Sequence, residues 1–354
     1  MQLGIIGMPT VGKTTIFELL TNSKEKAANQ GKTNTAIARI PDKRIDYLCS
    51  IYKPKKTAYA QLELVDIPGL MPGSEKGSIM FLDAVRKADA LLHVVRAFDN
   101  DVAPYIYDEI KPVRDIENIA TELLIADMDL IEKRIERIHK SKKKTQQEKE
   151  LQLLERFRDA LNEEKPLSSV DLDQEEEAIM MTYQFLTTKP MLICVNVNED
   201  DISSGSYTQK TEVEAYCKEQ EIPVVEVCAS IEREIAELEN DEKEEFLSDL
   251  GITETGLVKI THSMYTRLEL ISFFTVGEDE VKAWTIEEGA IAKNAAGKIH
   301  SDIERGFIRA EVIDYNDFLE YKTTVALKEK GLFRLEGKEY VVKDGDIVHF
   351  RFNV

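Results

Sequence analysis

A segment near the start of the chain combines glycine, lysine and threonine at a spacing suited to binding phosphate. Residues 7–14 read GMPTVGKT, between the apolar run Leu3 to Ile6 and a stretch, Thr15 to Leu20, with helical spacing of its apolar residues. This matches the pattern GxxxxGK[ST] in the order strand, loop, helix. Glycines let successive N–H groups of the loop point at phosphate oxygens, and the following helix adds its positive end. The sequence therefore predicts a loop that binds the phosphates of a nucleotide.

Two side chains of this loop are candidates for catalysis as well as binding. Lys13 would supply a positive charge to the β- and γ-phosphates, and the hydroxyl of Thr14 would be a ligand of a magnesium ion. The other loop residues that we expect beside the nucleotide are Pro9, Thr10, Val11, Gly12 and Thr15.

An aspartate and a glycine follow the second apolar run of the chain. Residues 66–70 read DIPGL. A carboxylate at the carboxyl end of a strand beside a phosphate loop is placed to hold magnesium, and we predict this role for Asp66. Gly69 would offer its N–H to the γ-phosphate, which makes it the third candidate catalytic residue.

A further candidate element lies at the end of the apolar run Met191 to Val195. Residues 196–199 read NVNE, where GTPases normally have Asn-Lys-x-Asp, whose aspartate accepts hydrogen bonds from guanine. Here Val197 replaces the lysine and the longer Glu199 replaces the aspartate, so selectivity for guanine should be weak or lost. Asn196 could still hold a purine edge and Val197 could lie against the ring. Glu199 could instead be an ordinary acidic residue of the loop with no role in binding the base, since two aspartates follow it.

A weaker signal follows the run Val224 to Val227. Residues 228–230 read CAS, at the place where P-loop GTPases present main-chain N–H groups to the base. Ser230 is therefore a further candidate for nucleotide binding.

The elements that would position these residues follow an α/β pattern. Five short apolar runs are typical of strands buried on both faces, as in a parallel sheet covered by helices. They are Leu3 to Ile6, Leu62 to Val65, Ala90 to Val95, Met191 to Val195 and Val224 to Val227. We therefore predict an α/β domain with a mainly parallel sheet.

An excursion of nearly a hundred residues separates the third and fourth of these runs. From Ile116 to His139, apolar residues recur at the 3,4 spacing of a coiled-coil seam. A charged stretch, 140–150, interrupts this pattern, and a second helical segment with apolar residues at 151, 154, 157 and 161 follows. The simplest interpretation is an antiparallel helical hairpin that projects from the sheet domain.

Positive charge is concentrated at the predicted tip of this hairpin. Residues 132–144 contain seven Lys or Arg and two Glu, in a chain with a net charge of −20. Such a cluster suits RNA phosphates, whose binding would weaken steeply with salt. The alternative is a solvent-exposed helix tip that is charged only to stay soluble.

The last part of the chain has a different character. A linking helix is predicted near Thr253 to Leu270, and short β-type runs then alternate with glycine-containing turns. The predicted runs are Ile271 to Val276, Ile308 to Val312, Glu339 to Val342 and Asp346 to Phe350. This is the pattern of a small mixed α+β domain.

Composition excludes several classes of protein. The 46 Lys and Arg against 66 Asp and Glu argue against a surface that coats nucleic acid or an anionic membrane throughout. No run approaches the roughly 18 apolar residues of a membrane helix, and no targeting signal is visible, so we expect no membrane contact. The four cysteines lie far apart, without the spacing of a zinc site or a disulfide framework, which is typical of a reducing cytoplasm.

The sequence resembles the YchF branch of the Obg-related P-loop proteins, the Obg-like ATPases, along nearly its whole length. The resemblance rests on the motifs above and on two C-terminal blocks: the stretch from AWT at 283–285 to GKIHSDIERGFIRAE at 297–311, and LEGKEYVV at 335–342 continuing to FRFNV at 350–354. It implies a P-loop nucleotide domain (residues 1–115 and 186–270), an inserted coiled-coil hairpin (116–185) and a C-terminal TGS domain of β-grasp type (271–354). It further implies hydrolysis of ATP in preference to GTP, association with ribosomes, and a role in translation or the stress response. The charge of the hairpin, and analogy with the fold for the TGS domain, make these two parts the predicted contacts with the ribosome or its RNA.

Three positions bear on how fast such a protein would hydrolyse ATP. Leu70 stands where Ras-like proteins have the glutamine that orients the attacking water, and leucine cannot form that hydrogen bond. Hydrolysis should be slow and should depend on another group, on a partner or on a potassium ion. The family's magnesium-binding switch threonine aligns with Gln30, so Thr33 or Thr35 would have to substitute, and we include Thr35 among the predicted metal ligands. A histidine often found after the third strand corresponds most nearly to Tyr105.

The sequence supports three functional hypotheses. The first is a monomeric, cytoplasmic ATPase switch that binds Mg-ATP and changes how the hairpin and TGS domain meet a ribosomal partner. The second is a nucleotide-sensing adaptor that docks on the ribosome and whose hydrolysis is incidental. The third is a GTP-dependent translation factor of the more usual kind.

Overall fold

The computed structural model describes residues 1–22, 34–100, 103–141 and 147–353, and the chain forms two compact units. The first unit consists of Met1–Ala36 and Glu63–Ile260, and the second of Ile37–Leu62 and Thr261–Val354. The division into a nucleotide domain, a hairpin and a TGS domain at the predicted boundaries remains a prediction.

Both units combine strands with helices. Among the described residues the strands are β1 Gln2–Ile6, β2 Asn34–Arg39, β3 Lys56–Ala58, β4 Gln61–Asp66, β5 Ala90–Arg96, β6 Met191–Asn196, β7 Val224–Val227, β8 Leu270–Thr275, β9 Glu280–Glu287, β10 Phe307–Ile313, β11 Arg334–Glu336 and β12 Ile347–Phe352. The helices are α1 Lys13–Thr21, α2 Lys43–Tyr52, α3 Glu75–Lys87, α4 Pro112–Lys140, α5 Glu148–Asn162, α6 Gln174–Met180, α7 Glu199–Ser204, α8 Lys210–Glu219, α9 Ala229–Glu237, α10 Asn240–Asp249, α11 Gly256–Arg267, α12 Ala292–Ile299, α13 Ser301–Arg305, α14 Tyr315–Tyr321 and α15 Thr324–Glu329.

The first sheet has the strand order β2-β4-β1-β5-β6-β7. Strand β1 pairs in parallel with β4 and β5, and the parallel pairing continues from β5 to β6 and from β6 to β7. All seven residues of β5 are buried, as expected for a central strand of a parallel sheet. Each of the five predicted strands coincides with a strand of this sheet, so the predicted α/β fold is confirmed. The apolar pattern does not predict strand β2, at the edge of the sheet, because its apolar run is only three residues long and only Ala38 is buried.

The helical hairpin is formed by α4 and α5, as predicted. Its core contains Ile131, Ile135 and Ile138 of α4 packed with apolar residues of α5, among them Phe157. The buried carboxylate of Asp127 in α4 accepts hydrogen bonds from three donors of the segment before β6. The N–H of Leu186 lies 2.9 Å and that of Thr187 2.8 Å from this carboxylate, and the Thr187 hydroxyl also donates to it.

The second unit contains a mixed sheet with the strand order β11-β10-β12-β8-β9-β3. Strands β8 and β9 form an antiparallel pair, β12 runs parallel to β8, and β10 runs antiparallel to β12. Helix α12 packs three buried alanines against the apolar core of this sheet. The C-terminal strands and helix α12 have the β-grasp arrangement that the family resemblance implies.

One predicted C-terminal strand is wrong. Residues Glu339 to Val342 do not form a strand, although Val341 makes an isolated antiparallel bridge with Ile291. The N–H of Tyr340 donates to the carbonyl of Gly337 across 3.2 Å, which closes a reverse turn where the prediction places the start of the strand. In that region the structure has β11 instead, directly before this turn.

None of the helices within the described ranges combines the length and the apolar character needed to cross a membrane.

Candidate functional site

The segment 7–14 forms a loop between β1 and α1, and Gly12 lies at the start of the helix. Gly12 has φ 96° and is the N-cap of α1. It has no side chain that could accept a hydrogen bond from the first N–H groups of the helix. A Cβ built on Gly12 would lie 2.4 Å from Nδ2 of Asn196, a distance that real Cβ atoms do not reach. Both the left-handed backbone and the close approach therefore require glycine at this position.

Lys13 is buried in this loop and its amine folds back onto the main chain. Only 8% of the residue is exposed, and its Nζ donates to the carbonyl of Met8 across 2.6 Å. Burial lowers the pKa of Lys13 to about 8, and the nearby carboxylate of Asp66 acts in the opposite direction. The positive charge is therefore poorly solvated, and it would gain from a phosphate that replaces the lost water.

The two predicted magnesium ligands of the loop and of β4 touch each other. The hydroxyl of Thr14 donates to Oδ2 of Asp66 across 2.8 Å, and Asp66 is the last residue of β4. Burial raises the pKa of Asp66, while the Thr14 hydroxyl and Lys13 lower it. One carboxylate and one hydroxyl side by side are a donor set that fits Mg²⁺, which takes few protein oxygens and completes its shell with water and phosphate.

Gly69 and Leu70 bring the segment after β4 against the phosphate loop. A Cβ on Gly69 would lie 2.9 Å from the N atom of Pro9 and 3.0 Å from Nζ of Lys13, so only glycine fits there without displacement. The N–H of Leu70 donates to the carbonyl of Gly7 across 3.2 Å, and the Leu70 side chain is buried. The position of the water-orienting glutamine of Ras-like proteins is thus held by a side chain that forms no hydrogen bond.

A cavity of about 450 Å³ opens beside this loop. It is lined by eight of the predicted nucleotide-site residues: Thr10, Gly12, Lys13, Thr14, Thr15, Asn196, Val197 and Ser230. The residues predicted from the phosphate loop and those predicted from the ends of β6 and β7 therefore meet at one site.

Asn196 connects the two sides of this cavity through its side-chain amide. Its Nδ2 donates to the carbonyl of Val11 across 3.0 Å, and its Oδ1 accepts from the N–H of Ala229 at 3.2 Å. Both ends of the amide are thus committed to the main chain, whereas the sequence suggested that it could hold a purine edge. Val197 is buried on the cavity wall, and its N–H donates to the carbonyl of Val227 across 2.9 Å.

Other predicted residues lie outside the cavity lining. Glu199 is exposed at the first position of α7, Pro9 and Val11 belong to the phosphate loop without lining the cavity, and Thr35 is exposed in β2. Gln30 and Thr33 lie outside the described residues. Asp66 and Gly69 also do not line the cavity, but they contact or approach Thr14 and Lys13 as described above.

The sequence did not reveal several residues of the cavity wall. They are Phe98, Asp99, Asn100 and Ala103 after β5, together with Arg233. Asn198 and Ala229 also line the cavity, and they belong to the predicted elements 196–199 and 228–230 without being singled out there. The loop after β5 could have been expected, because ligands of open α/β sheets bind beside the carboxyl ends of the strands. Arg233 lies one helical turn after Ser230 in α9, a spacing that also brings it to the cavity.

Comparison with known proteins identifies the family. Residues 2–152 match a model described as a 50S ribosome-binding GTPase, and residues 270–353 match the model of the C-terminal YchF domain, described as a protein of unknown function (DUF933). A protein of Haemophilus influenzae named "Ribosome-binding ATPase YchF" is 45% identical over 100% of this chain and 99% of its own. A protein of the same name from Bacillus subtilis is 42% identical over 100% of both chains. The chain belongs to the YchF family.

Solved structures agree with this membership. The structure of the Schizosaccharomyces pombe YchF GTPase superposes on this YchF family member with a TM-score of 0.88 at 33% identity, covering 99% of this chain and 97% of its own. A GTP binding protein from Pyrococcus horikoshii OT3 has a TM-score of 0.57 at 22% identity over 100% of both chains, which shows a shared fold. The chain is a P-loop NTPase with a C-terminal YchF domain, as the sequence motifs predicted.

Proposed function

We propose that this YchF family member is a magnesium-dependent switch that binds ATP, hydrolyses it slowly and associates with the ribosome. The observation that carries the proposal is the rim of the cavity at the end of β6. Val197, which lines the cavity, and Glu199, which is exposed outside the lining, stand in place of the lysine and aspartate that bind guanine in GTPases. The curated relatives named "Ribosome-binding ATPase YchF" support the same assignment.

The phosphate end of the site would bind the triphosphate and orient it. Lys13 would move from the Met8 carbonyl to the β- and γ-phosphates, because a charge-assisted bond to phosphate is stronger than one to a neutral carbonyl. The uncapped N–H groups at the start of α1 would hold the same phosphates, and the N–H of Gly69 would face the γ-phosphate. Magnesium, held by Thr14 and Asp66, would neutralise charge on the phosphates. Thr35 remains a predicted third protein ligand.

The base end of the site would accept adenine through an apolar wall and main-chain groups. Phe98 and Val197 line the cavity together with the first residues of α9. An aromatic ring and an aliphatic side chain can cover the faces of a purine, and they do not distinguish adenine from guanine by hydrogen bonds. Selectivity against GTP would come from the missing aspartate, since the polar edge of guanine would lose its partner.

Hydrolysis would be slow because Leu70 cannot orient water. Another group, a partner or a potassium ion would then have to supply what the glutamine supplies elsewhere. Comparison of ATP turnover in K⁺ with turnover in Na⁺, at equal ionic strength, tests the potassium alternative directly. Equal rates in the two salts would exclude it.

The helical hairpin supplies a basic surface that suits ribosomal RNA. A second cavity, of about 470 Å³, lies beside α4 and is lined by eight residues: Arg86, Leu130, Lys133, Arg134, Arg137, Thr182, Tyr183 and Gln184. Three of the four basic residues lie on one face of α4, at 133, 134 and 137. Glu150 pairs with Arg134 at 2.8 Å and Asp129 pairs with Lys133 at 2.5 Å. These two pairs balance two of the four positive charges, so the surface keeps a positive excess. The predicted tip lysines 142–144 lie outside the described residues.

Ribosome co-sedimentation at several salt concentrations tests the partner. We expect charge reversal at Lys142 to Lys144, combined with Arg137→Glu, to weaken co-sedimentation about tenfold and to reduce its dependence on salt. Lys218→Glu, an equal change of charge per residue on the exposed face of α8, is the control and should have no effect. Unchanged co-sedimentation of the hairpin variant would contradict this part of the proposal.

A second candidate function is a ribosome-docking adaptor whose hydrolysis is incidental, and the buried Leu70 favours it. The two functions differ in what the nucleotide does. In both, Lys13→Ala would abolish the effect of ATP on co-sedimentation. In the switch, a variant that binds ATP without hydrolysing it would stay on the ribosome. In the adaptor, ATP occupancy would govern docking while hydrolysis would leave it unchanged. A cytoplasmic location and a monomeric state are part of both.

A further inference from the structure

A buried arginine stands at the end of β5, next to the proposed nucleotide cavity. Arg96 is only 1% exposed, and its guanidinium donates to three main-chain carbonyls. Nη1 donates to Thr10 at 3.0 Å and to Ala103 at 2.8 Å, and Nε donates to Phe98 at 3.0 Å. A buried charge with several good acceptors is costly to disturb, because removal of the guanidinium takes this donor from all three carbonyls.

Two aromatic rings complete the surroundings of this guanidinium. Its Cζ lies 4.3 Å from the ring centre of Phe98 and 5.2 Å from that of Tyr105. A planar guanidinium can stack on rings and donate in its own plane at the same time. A lysine could provide the charge but neither the stacking nor the fork of hydrogen bonds.

The carbonyls that Arg96 binds belong to two separate parts of the site. Thr10 is in the phosphate loop and has a left-handed backbone, with φ 60°. Phe98 and Ala103 belong to the loop after β5, and all three residues line the cavity. The hydroxyl of Thr10 also donates to the carbonyl of Pro104 across 3.3 Å. The guanidinium therefore holds the phosphate loop and the loop after β5 against each other.

Tyr105 continues this connection to the helical hairpin. Its hydroxyl donates to Oδ2 of Asp115, a buried carboxylate in the first turn of α4. Burial and the neighbouring carboxylate raise the pKa of Tyr105 far above its ordinary value, so the hydroxyl keeps the proton that it donates. Arg114 holds the other oxygen of Asp115, with Nη2 at 3.1 Å. The carboxylate is thus fixed from both sides.

We propose that Arg96 is a positioning residue that joins the phosphate loop and the loop after β5 into one wall of the nucleotide site, and that Tyr105 carries this connection to the first turn of α4. This inference rests on the proposed binding of nucleotide at the cavity. A nucleotide that orders Thr10 and Phe98 thereby also steadies Asp115, and the base of the hairpin is coupled to the occupancy of the site.

The first experiment measures the positioning role of Arg96. Arg96→Lys keeps the charge but loses the fork, and we expect its Kd for Mg-ATP to rise about tenfold or more. Lys189→Arg is the control and should bind ATP as the wild type does, because Lys189 is a partly buried cation of the same unit that also donates to main-chain carbonyls. Unchanged ATP affinity of a folded Arg96→Lys protein overturns the positioning role.

The second experiment tests the connection to α4 and does not require a change at Arg96. Tyr105→Phe removes the hydroxyl and keeps the ring beside the guanidinium. Tyr107→Phe is the matched control, because its hydroxyl also contacts α4, accepting from Nδ2 of Asn118 at 3.3 Å, but its ring is not beside Arg96. Hydrogen–deuterium exchange of the amides of residues 115–122 is followed by mass spectrometry, with and without saturating Mg-ATP.

We expect ATP to slow exchange in this segment severalfold in the wild type and in Tyr107→Phe, and to lose most of that effect in Tyr105→Phe. Full slowing in Tyr105→Phe, or no slowing in a wild type that binds ATP, overturns the connection alone. A wild type that binds neither ATP nor GTP overturns the proposed function, and the inference with it.

Discussion

The phosphate end and the base end of the cavity differ in how they are built. At the phosphate end, side chains from the predicted motifs contact one another or the loop itself, as Lys13 does with Met8 and Thr14 with Asp66. At the base end, the amide of Asn196 is committed to the main chain and Glu199 is exposed outside the cavity.

The difference follows from the chemistry of the ligand. A triphosphate is the same in every nucleotide and is bound mainly by main-chain N–H groups, a lysine and magnesium, so its motif hardly varies. A base is distinguished by a few side-chain hydrogen bonds, and in the proposed site the two substitutions at 197 and 199 would be enough to change which base fits. The site thus combines a phosphate end that any P-loop NTPase could share with a base end of its own.

The largest expected effect comes from the phosphate end. Lys13→Ala removes the buried charge, and we expect affinity for ATP and for GTP to fall by about 100-fold or more, equivalent to about 3 kcal/mol. Isothermal titration calorimetry measures both. Lys210→Ala removes a lysine that pairs with Glu226 at 2.7 Å, away from the cavity, and should leave both affinities unchanged. An equal loss of affinity for both nucleotides would show that the phosphate end does not distinguish adenine from guanine.

The pH dependence of ATP affinity gives the next effect, also at the phosphate end. The pKa of Lys13 is lowered to about 8 by burial, and bound phosphates would raise it again. Binding above pH 8 must therefore take up a proton, and affinity should fall by up to about tenfold per pH unit between pH 8 and 10. The free energy of unfolding should change with pH in the direction opposite to ATP affinity. The pKa of Lys13 is about 8 in the folded chain and 10.5 ordinarily, so the folded chain releases this proton first. Lys13 therefore increases the free energy of unfolding as the pH rises from 8 to 10.

Lys13→Arg is the control for this titration, because arginine stays protonated throughout the range. Its affinity for ATP, whatever its value at pH 7, should not change with pH above 8. A wild-type affinity that is constant from pH 7 to 9.5 would contradict the burial of a titrating lysine at the phosphate end.

The smallest expected effect belongs to the base end. Glu199→Asp restores the shorter carboxylate of the guanine-binding motif, and we expect the ratio of GTP to ATP affinity to rise about five- to tenfold. Asp200→Glu, the reverse change at the next position, should leave the ratio as it is. If Glu199→Asp does not alter the ratio of the two affinities, then Glu199 is an ordinary acidic residue of the loop and selectivity comes from the residues of the cavity wall.

Sequence patterns predicted the buried parts of the molecule well. The strand Ala90 to Val95 and the seam of Ile131 and Ile138 are continuous or periodic apolar patterns, and such patterns follow directly from burial. The phosphate loop was predicted because its glycines are demanded by geometry, as the Gly12 contact with Asn196 illustrates. The family match confirms that the chain has a P-loop NTPase domain, and the roles of the individual loop residues stay predictions.

Other features could not be read from the sequence, because they depend on which segments meet in space. Arg96 ends an apolar strand and gives no sign that its guanidinium binds the carbonyl of Thr10, 86 residues away. The segment from Ile37 to Leu62 belongs to the same unit as the C-terminal residues, and strand β3 in this segment pairs with β9. This pairing could not be predicted, because a short polar strand has no apolar pattern. Arg233 reaches the cavity only because α9 begins at the end of β7.

Competition between ATP and GTP for the purified wild-type protein, in the presence of magnesium, tests the central claim most directly. A fluorescent triphosphate analogue reports displacement by each nucleotide at equilibrium. With Val197 and Glu199 in place of the guanine-binding pair, ATP should bind at least about tenfold more tightly than GTP. A preference for GTP of tenfold or more would contradict the account of the base end.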